Sequence, residues 1–178
     1  MMNKILILGN ARHGKDTLAE LLGERFGMTY KSSSEMAMEL FLFEVLKEKN
    51  GYETIQECFD DRVNHRQTWY LSICDYNKSD RARLAKDILE GYDCYVGMRD
   101  LEEFEASKEL FDVIIWVDAS KRLGTSEYTN KIPVSEADMV ITNDGAFEDF
   151  KEKARLLGKM LFDSETDKKL FKNSKIHW

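Results

Sequence analysis

The residues best suited to chemistry form one string, Gly9-Asn10-Ala11-Arg12-His13-Gly14-Lys15-Asp16-Thr17. It follows the pattern G-x-x-x-x-G-K and departs at the next position, where Asp16 stands in place of Ser or Thr. Glycines at both ends let the backbone turn tightly and aim successive N–H groups at one anion. Lys15 adds a mobile positive charge for β- and γ-phosphates. A helix beginning here would add the positive potential of its N-terminus. The chemistry is therefore phosphate binding, with residues 9–17 gathered around the phosphates. A glycine-containing turn that binds nothing is the plainer alternative. Strand, loop, lysine and helix in the required order favour the phosphate loop.

Asp16 sits where a magnesium-binding hydroxyl is expected. A carboxylate beside phosphates is repulsive unless a cation or hydrogen bonds compensate. Asp16 and Thr17 are therefore candidate magnesium ligands, with Asp118 as a further candidate. The competing reading is that Asp16 caps the following helix, where a negative side chain is favourable without metal. His13 is expected to matter through its backbone N–H rather than its ring. His65 and His177 read as surface residues, and the run Glu102 to Glu105 as a solvated helix face.

These residues need a scaffold. The apolar run at 4–8, followed by Gly9, predicts a buried parallel strand. Leu18, Leu21, Leu22 and Phe26 recur at helical spacing, and Gly27 can stop that helix. A short strand is expected at 28–32. Ser33 or Ser34 is a candidate cap for a helix running to Asn50-Gly51. The segment 52–76 reads as helical in pieces. Ser79 is a candidate cap for a helix over 80–90. Further strands are expected at 94–98, 113–117 and 139–142, with helices at 101–110 and 147–162. Residues 120–134 lack apolar periodicity and read as a mobile loop, and the lysine-rich tail 163–178 as less ordered. Strands alternating with helices predict an α/β domain with a parallel sheet. In such sheets ligands bind beyond the carboxyl ends of the strands.

Composition narrows the classes. At roughly 150 residues per domain, 178 residues make one domain. A net charge of −7 argues against a surface built to bind nucleic acid. Cys58, Cys74 and Cys94 form no C-x-x-C pair, which gives no support to a zinc or redox motif and suits a reducing cytoplasm. No stretch approaches the roughly 20 apolar residues of a membrane span, and the apolar run near the N-terminus is too short for a signal peptide core. A guanine-specific GTPase would carry N-K-x-D. The nearest string, Asn130-Lys131-Ile132-Pro133, lacks the acid.

Three elements in order resemble the deoxynucleoside monophosphate kinases of bacteriophages. They are Gly14-Lys15-Asp16-Thr17, then Tyr95-Val96-Gly97-Met98-Arg99, then Ala137-Asp138-Met139-Val140-Ile141-Thr142-Asn143-Asp144-Gly145. The resemblance runs from about Lys4 to Leu161. It implies a three-layer P-loop kinase fold, with a five-stranded parallel sheet flanked by helices. It also implies ATP with Mg2+ and phosphoryl transfer to a (deoxy)nucleoside monophosphate. Residues 1–162 would form the kinase domain, with an acceptor-binding insertion at about 33–77 and a lid at about 120–134. The tail 163–178 lies outside it.

The resemblance also assigns roles. Arg99 inherits the arginine that holds the acceptor phosphate. Val96 replaces the acid that helps hold magnesium in related kinases, which turns attention back to Asp16. Arg62, Arg66 and Trp69 fall in the acceptor insertion. Arg62 and Arg66 are four apart and would share one face of a helix. Paired guanidiniums suit a phosphate, and Trp69 or Tyr70 could stack on a base. A solvated arginine pair beside a core tryptophan is the structural alternative. Lys121 and Arg122 stand where related kinases place lid arginines that close over the transferring phosphate. Asn143 falls near the donor adenine.

The expectation is thus an ATP-dependent nucleoside monophosphate kinase using Lys15, Arg99 and Arg122. Its partners would be ATP and a nucleoside monophosphate, without nucleic acid or membrane. A homodimer is compatible with the sequence. The location would be cytoplasmic, in the host cytoplasm for a phage protein. The alternatives are another small-molecule kinase, such as one acting on dephospho-coenzyme A, and a nucleotide-binding protein without catalysis.

Overall fold

The computed structural model describes residues 3–124, 130–163 and 175–178. Strand β1 (Ile5–Leu8) is four apolar residues, all fully buried. It lies between β3 (Cys94–Val96) and β4 (Val113–Asp118), parallel to both. A strand covered on both faces must be apolar throughout, and this one is. Its side chains alternate between two cores. Ile5 and Ile7 join Leu18 and Leu22 of α1 (Lys15–Phe26) and Phe150, Ala154 and Leu157 of α9 (Phe147–Gly158). Leu6 and Leu8 join Leu84 and Ile88 of α6 (Arg83–Gly91) and Phe104 of α7 (Leu101–Ser107). Helices therefore cover both faces of the sheet, giving three layers. Each such Ile or Leu contributes about 1.5–3 kcal/mol by burial, so the centre of the sheet resists movement.

The insertion builds a small core of its own. It comprises α2 (Ser33–Ala37), α3 (Phe43–Asn50), α4 (Ile55–Asp60) and α5 (Arg66–Tyr76). Met38, Leu42, Leu46, Cys58 and Trp69 pack together between them. No helix among the described residues is long and apolar enough to cross a membrane.

Among the described residues the sheet has six strands, not the five expected. Its order is β2 (Tyr30–Ser32), β3, β1, β4, β5 (Met139–Thr142) and β6 (Ile176–His177), all parallel. The sixth comes from the end of the lysine-rich tail. Trp178 donates its N–H to the Val140 carbonyl at 2.9 Å, and its own carbonyl accepts from Thr142 N–H and Oγ1. An edge strand with unpaired N–H and C=O groups needs such a partner. Two residues carry too little pattern to reveal it in sequence.

Three boundaries also move. The cap of α2 is Ser32, whose side chain accepts from Glu35 N–H while Glu35 reaches back to Ser32 N–H. The helix expected from residue 80 starts at Arg83, because Asp80 accepts from Ala82 N–H and shapes a turn first. Residues 120–134 were expected to form one mobile loop. Instead Ser120–Leu123 forms a short helix, α8, and Ile132 is 1% exposed. Residues 125–129 of that expected lid lie outside the described residues.

Candidate functional site

The loop from β1 to α1 is held in shape by contacts that tolerate no side chain at its two glycines. Gly9 has φ +145° and Gly14 φ +103°. A Cβ on Gly9 would lie 2.5 Å from the Val117 carbonyl oxygen, and one on Gly14 2.5 Å from Asn143 Nδ2. Gly14 is the N-cap of α1, and no side chain caps that helix. Asp16 therefore stands in the first turn and does not cap, which leaves the N–H groups of this helix end to an anion.

Neighbouring strand ends brace the loop. Asn143 Nδ2 donates to the His13 carbonyl at 2.9 Å. The buried His13 ring accepts the Ala119 N–H at Nδ1, 2.9 Å away, so its proton sits on Nε2. Burial also holds this imidazole below its ordinary pKa, which keeps that lone pair available. The ring, expected to be incidental, ties the loop to the end of β4. Asn10 Oδ1 accepts the Asn130 N–H at 2.8 Å, and Asn130 Nδ2 donates to the Met98 carbonyl at 2.8 Å. Asn130 thus joins the loop to the end of β3. Sequence reasoning missed it, since a single Asn in a loop carries no signal.

Two joined clefts open at the carboxyl ends of the strands. The outer one encloses about 860 Å³, partly open to solvent. Lys15, Asp16, Arg62, Arg66, Arg99 and Asn130 line it. Lys15 Nζ donates to the Asn10 carbonyl at 2.8 Å. Its pKa is pushed down to about 8, chiefly by burial. Asp16 opposes that shift, while Arg99 and Arg66 add to it. Five cations gathered around one cleft, with Arg12 among them, can hold a polyanion. Among the described residues, Asp16 is the one carboxylate lining this outer cleft. Among the described residues, no group of three or more His, Cys, Asp or Glu is placed to hold a metal.

The inner cleft continues past Arg66 and Arg99 and encloses about 560 Å³, again including open space. Trp69, Tyr70, Tyr95, Asp100 and Glu103 line it. Trp69 is 5% exposed in the insertion core, edge-on to Phe59, and it also lines this cleft. Tyr70 donates to Asp100 Oδ1 at 2.8 Å and accepts from Lys131 Nζ at 2.7 Å. Arg62 does not share a helix with Arg66. It lies in the turn Asp61–Asn64 with its guanidinium 4.1 Å from the centre of the Phe59 ring, whereas Arg66 opens α5. Both reach the clefts all the same.

Other expected residues fall elsewhere. Arg122 lines neither cleft; its Nε donates to the Asn143 carbonyl at 3.2 Å. Thr17 and Asp118 also line neither. Asp118 accepts from Ser120 N–H at 2.9 Å and lies 3.7 Å from His13 Nδ1. The run Glu102 to Glu105 is not uniformly solvated. Glu103 is 2% exposed and faces inward.

No family model matches the chain, and no curated protein matches it. Among solved structures it is similar to an unliganded sugar kinase from Janibacter sp. HTCC2649, at 13% identity and TM-score 0.45 over 92% of this chain and 95% of that one. It is similar to shikimate kinase from Aquifex aeolicus, at 14% identity and TM-score 0.45 over 88% and 95%. It is also similar to Acinetobacter baumannii shikimate kinase in complex with shikimate, at 12% identity and TM-score 0.40 over 100% and 83%.

Proposed function

We propose that the protein transfers the γ-phosphate of ATP to a (deoxy)nucleoside monophosphate, giving ADP and the diphosphate. One observation carries the reading. Lys15 on the phosphate loop lines one cleft together with Arg66 and Arg99, and the same two arginines also line the inner cleft. A cleft lined by cations of the loop, the insertion and the β3 end suits a donor and an acceptor that both carry phosphate. The resemblance to phage deoxynucleoside monophosphate kinases agrees with it.

In this reading the β- and γ-phosphates of ATP lie on the loop N–H groups of residues 9–15 and on Lys15. Arg66 and Arg99 hold the acceptor phosphate and aim one of its oxygens at the γ-phosphorus. That oxygen forms the new P–O bond as the bond to the β-phosphate oxygen breaks, and ADP leaves with the electron pair. Such a reaction asks the protein mainly for positioning and charge neutralisation. Bound magnesium would neutralise the phosphate oxygens. Asp16 suits the ion, which usually takes one or two carboxylates together with phosphates and waters. Arg122 and Asn143 act through the loop and the β5 end in this account, since Arg122 faces neither cleft.

Two tests follow. ADP release, followed with a coupled assay, rises on adding a nucleoside monophosphate and not on adding dephospho-coenzyme A or shikimate. Release independent of any monophosphate contradicts the reading. For the ion, Asp16→Asn raises the magnesium concentration needed for half-maximal rate by about tenfold, the weight of one charged contact. Its melting temperature stays within about 3 °C of the parent, because the residue caps nothing. An unchanged magnesium dependence removes Asp16 from the metal site.

A further inference from the structure

Glu103 is a buried acid that the transfer step does not use. It is 2% exposed, yet it lines the inner cleft. The Asp100 side chain caps α7 by accepting the Glu103 N–H at 3.0 Å, and Glu103, the third residue of that helix, is buried. Tyr95, fully buried on β3, donates its hydroxyl to Glu103 Oε1 at 2.8 Å. No ion-pair partner faces this carboxyl among the described residues. Burial pushes its pKa up to about 7; the Tyr95 hydroxyl opposes the shift, Asp100 adds to it, and the nearby Asn77 amide opposes it. A carboxyl buried without a cation costs stability unless something else uses it.

Its place in the cleft suggests that use. Arg99 and Glu103 are four residues apart, on either side of the Asp100 cap, and both line the cleft. Arg66 and Arg99 are shared with the outer, phosphate-facing cleft, whereas Trp69, Tyr70 and Glu103 line only the inner one. A molecule with its phosphate at the arginines extends its other end toward Glu103, along the aromatic wall. Resting on the monophosphate kinase reading, we infer that Glu103 is the specificity-determining residue for the acceptor base and selects one with two adjacent N–H donors, as guanine has.

The chemistry follows from the donor and acceptor inventory. An ionised carboxylate only accepts, and it accepts two parallel N–H groups well. Guanine offers its ring N1–H and exocyclic 2-amino group side by side. Thymine offers one N–H between two carbonyls, which face the carboxylate unfavourably. Adenine and cytosine offer an amino group beside a bare ring nitrogen, so only a protonated carboxyl would match them. A base with two donors also favours the ionised carboxyl and thereby compensates its burial. A site built to bond a polar edge discriminates strongly against analogues lacking it.

The test is kcat/KM for dGMP, dIMP, dAMP and dTMP, with the parent and with Glu103→Gln. Deoxyinosine monophosphate lacks only the 2-amino group. The parent prefers dGMP over dIMP by about tenfold or more, the weight of one charged hydrogen bond. Glu103→Gln brings that ratio to within about threefold, since its amide can accept from only one of the two donors. The KM for ATP stays unchanged, which a general structural defect would not allow. Should Glu103→Gln fail to fold, the parent's dGMP to dIMP ratio decides alone, and equal values overturn the inference. A ratio unaffected in folded Glu103→Gln overturns it too. If the parent phosphorylates no nucleoside monophosphate at all, the kinase reading fails first.

Discussion

Lys15→Ala lowers the rate of phosphoryl transfer by about 100- to 1,000-fold and leaves the protein folded. The magnitude is that of removing one preorganised charge from a transition state. The fold survives because Lys15 makes a single hydrogen bond, to the Asn10 carbonyl, within a loop braced by Asn143, His13 and Asn130. Near-parental turnover would contradict the assignment of the loop.

The lysine's lowered pKa adds a pH signature. Folding moves it from 10.5 to about 8. Only the protonated amine attracts phosphate, so kcat/KM for ATP falls as pH rises through about 8. Stability moves the opposite way. Between pH 8 and 10.5 the unfolded chain binds more protons at this site, so the Lys15 contribution to stability increases with pH. Below that range the burial penalty is fully present. Lys15→Ala is then at least as stable as the parent at pH 7, and thermal melts at pH 7 and pH 9 check both signs.

The second large effect is on the acceptor side. Arg99→Ala lowers kcat/KM for the monophosphate by the equivalent of about 2–4 kcal/mol, since its guanidinium is assigned to the acceptor phosphate through the transfer. The KM for ATP changes little. The removal also takes away one of the charges that depress Lys15, so the alkaline fall in kcat/KM for ATP moves to higher pH. Both effects are read in one set of initial rates, varying each substrate and pH. Weakened ATP binding with unchanged acceptor kinetics would exchange the two ends of the site.

The parts of this site that were legible in sequence share one property: several local signals agree there. At β1, the loop and α1, the apolar run, the two glycines, the lysine and the helical spacing to Gly27 all point to one arrangement. Arg99 and Arg66 were legible as residue types, and Arg66 as the start of a helix was not. What was missed depends on partners far away in the chain. Glu103 sits among exposed acids, and its inward turn is decided by Tyr95 on β3 and by the Asp100 cap. The spacing from Asp100 to Glu103 is that of a capping pair, a signal that could have lifted it out of the run. The His13 ring bonds to Ala119, 106 positions on, and Asn130 to Asn10, 120 positions back. Arg122 shows the converse. A basic residue after β4 suits a clamp by position, but its guanidinium turns to the Asn143 carbonyl.

The most direct measurement follows the phosphate itself. The protein is incubated with ATP labelled in its γ-phosphate, with magnesium and with dGMP, and the products are separated by chromatography. Label is expected in the β-phosphate of dGDP, in step with unlabelled ADP. Label recovered only as inorganic phosphate, at the same rate with and without the monophosphate, would contradict it.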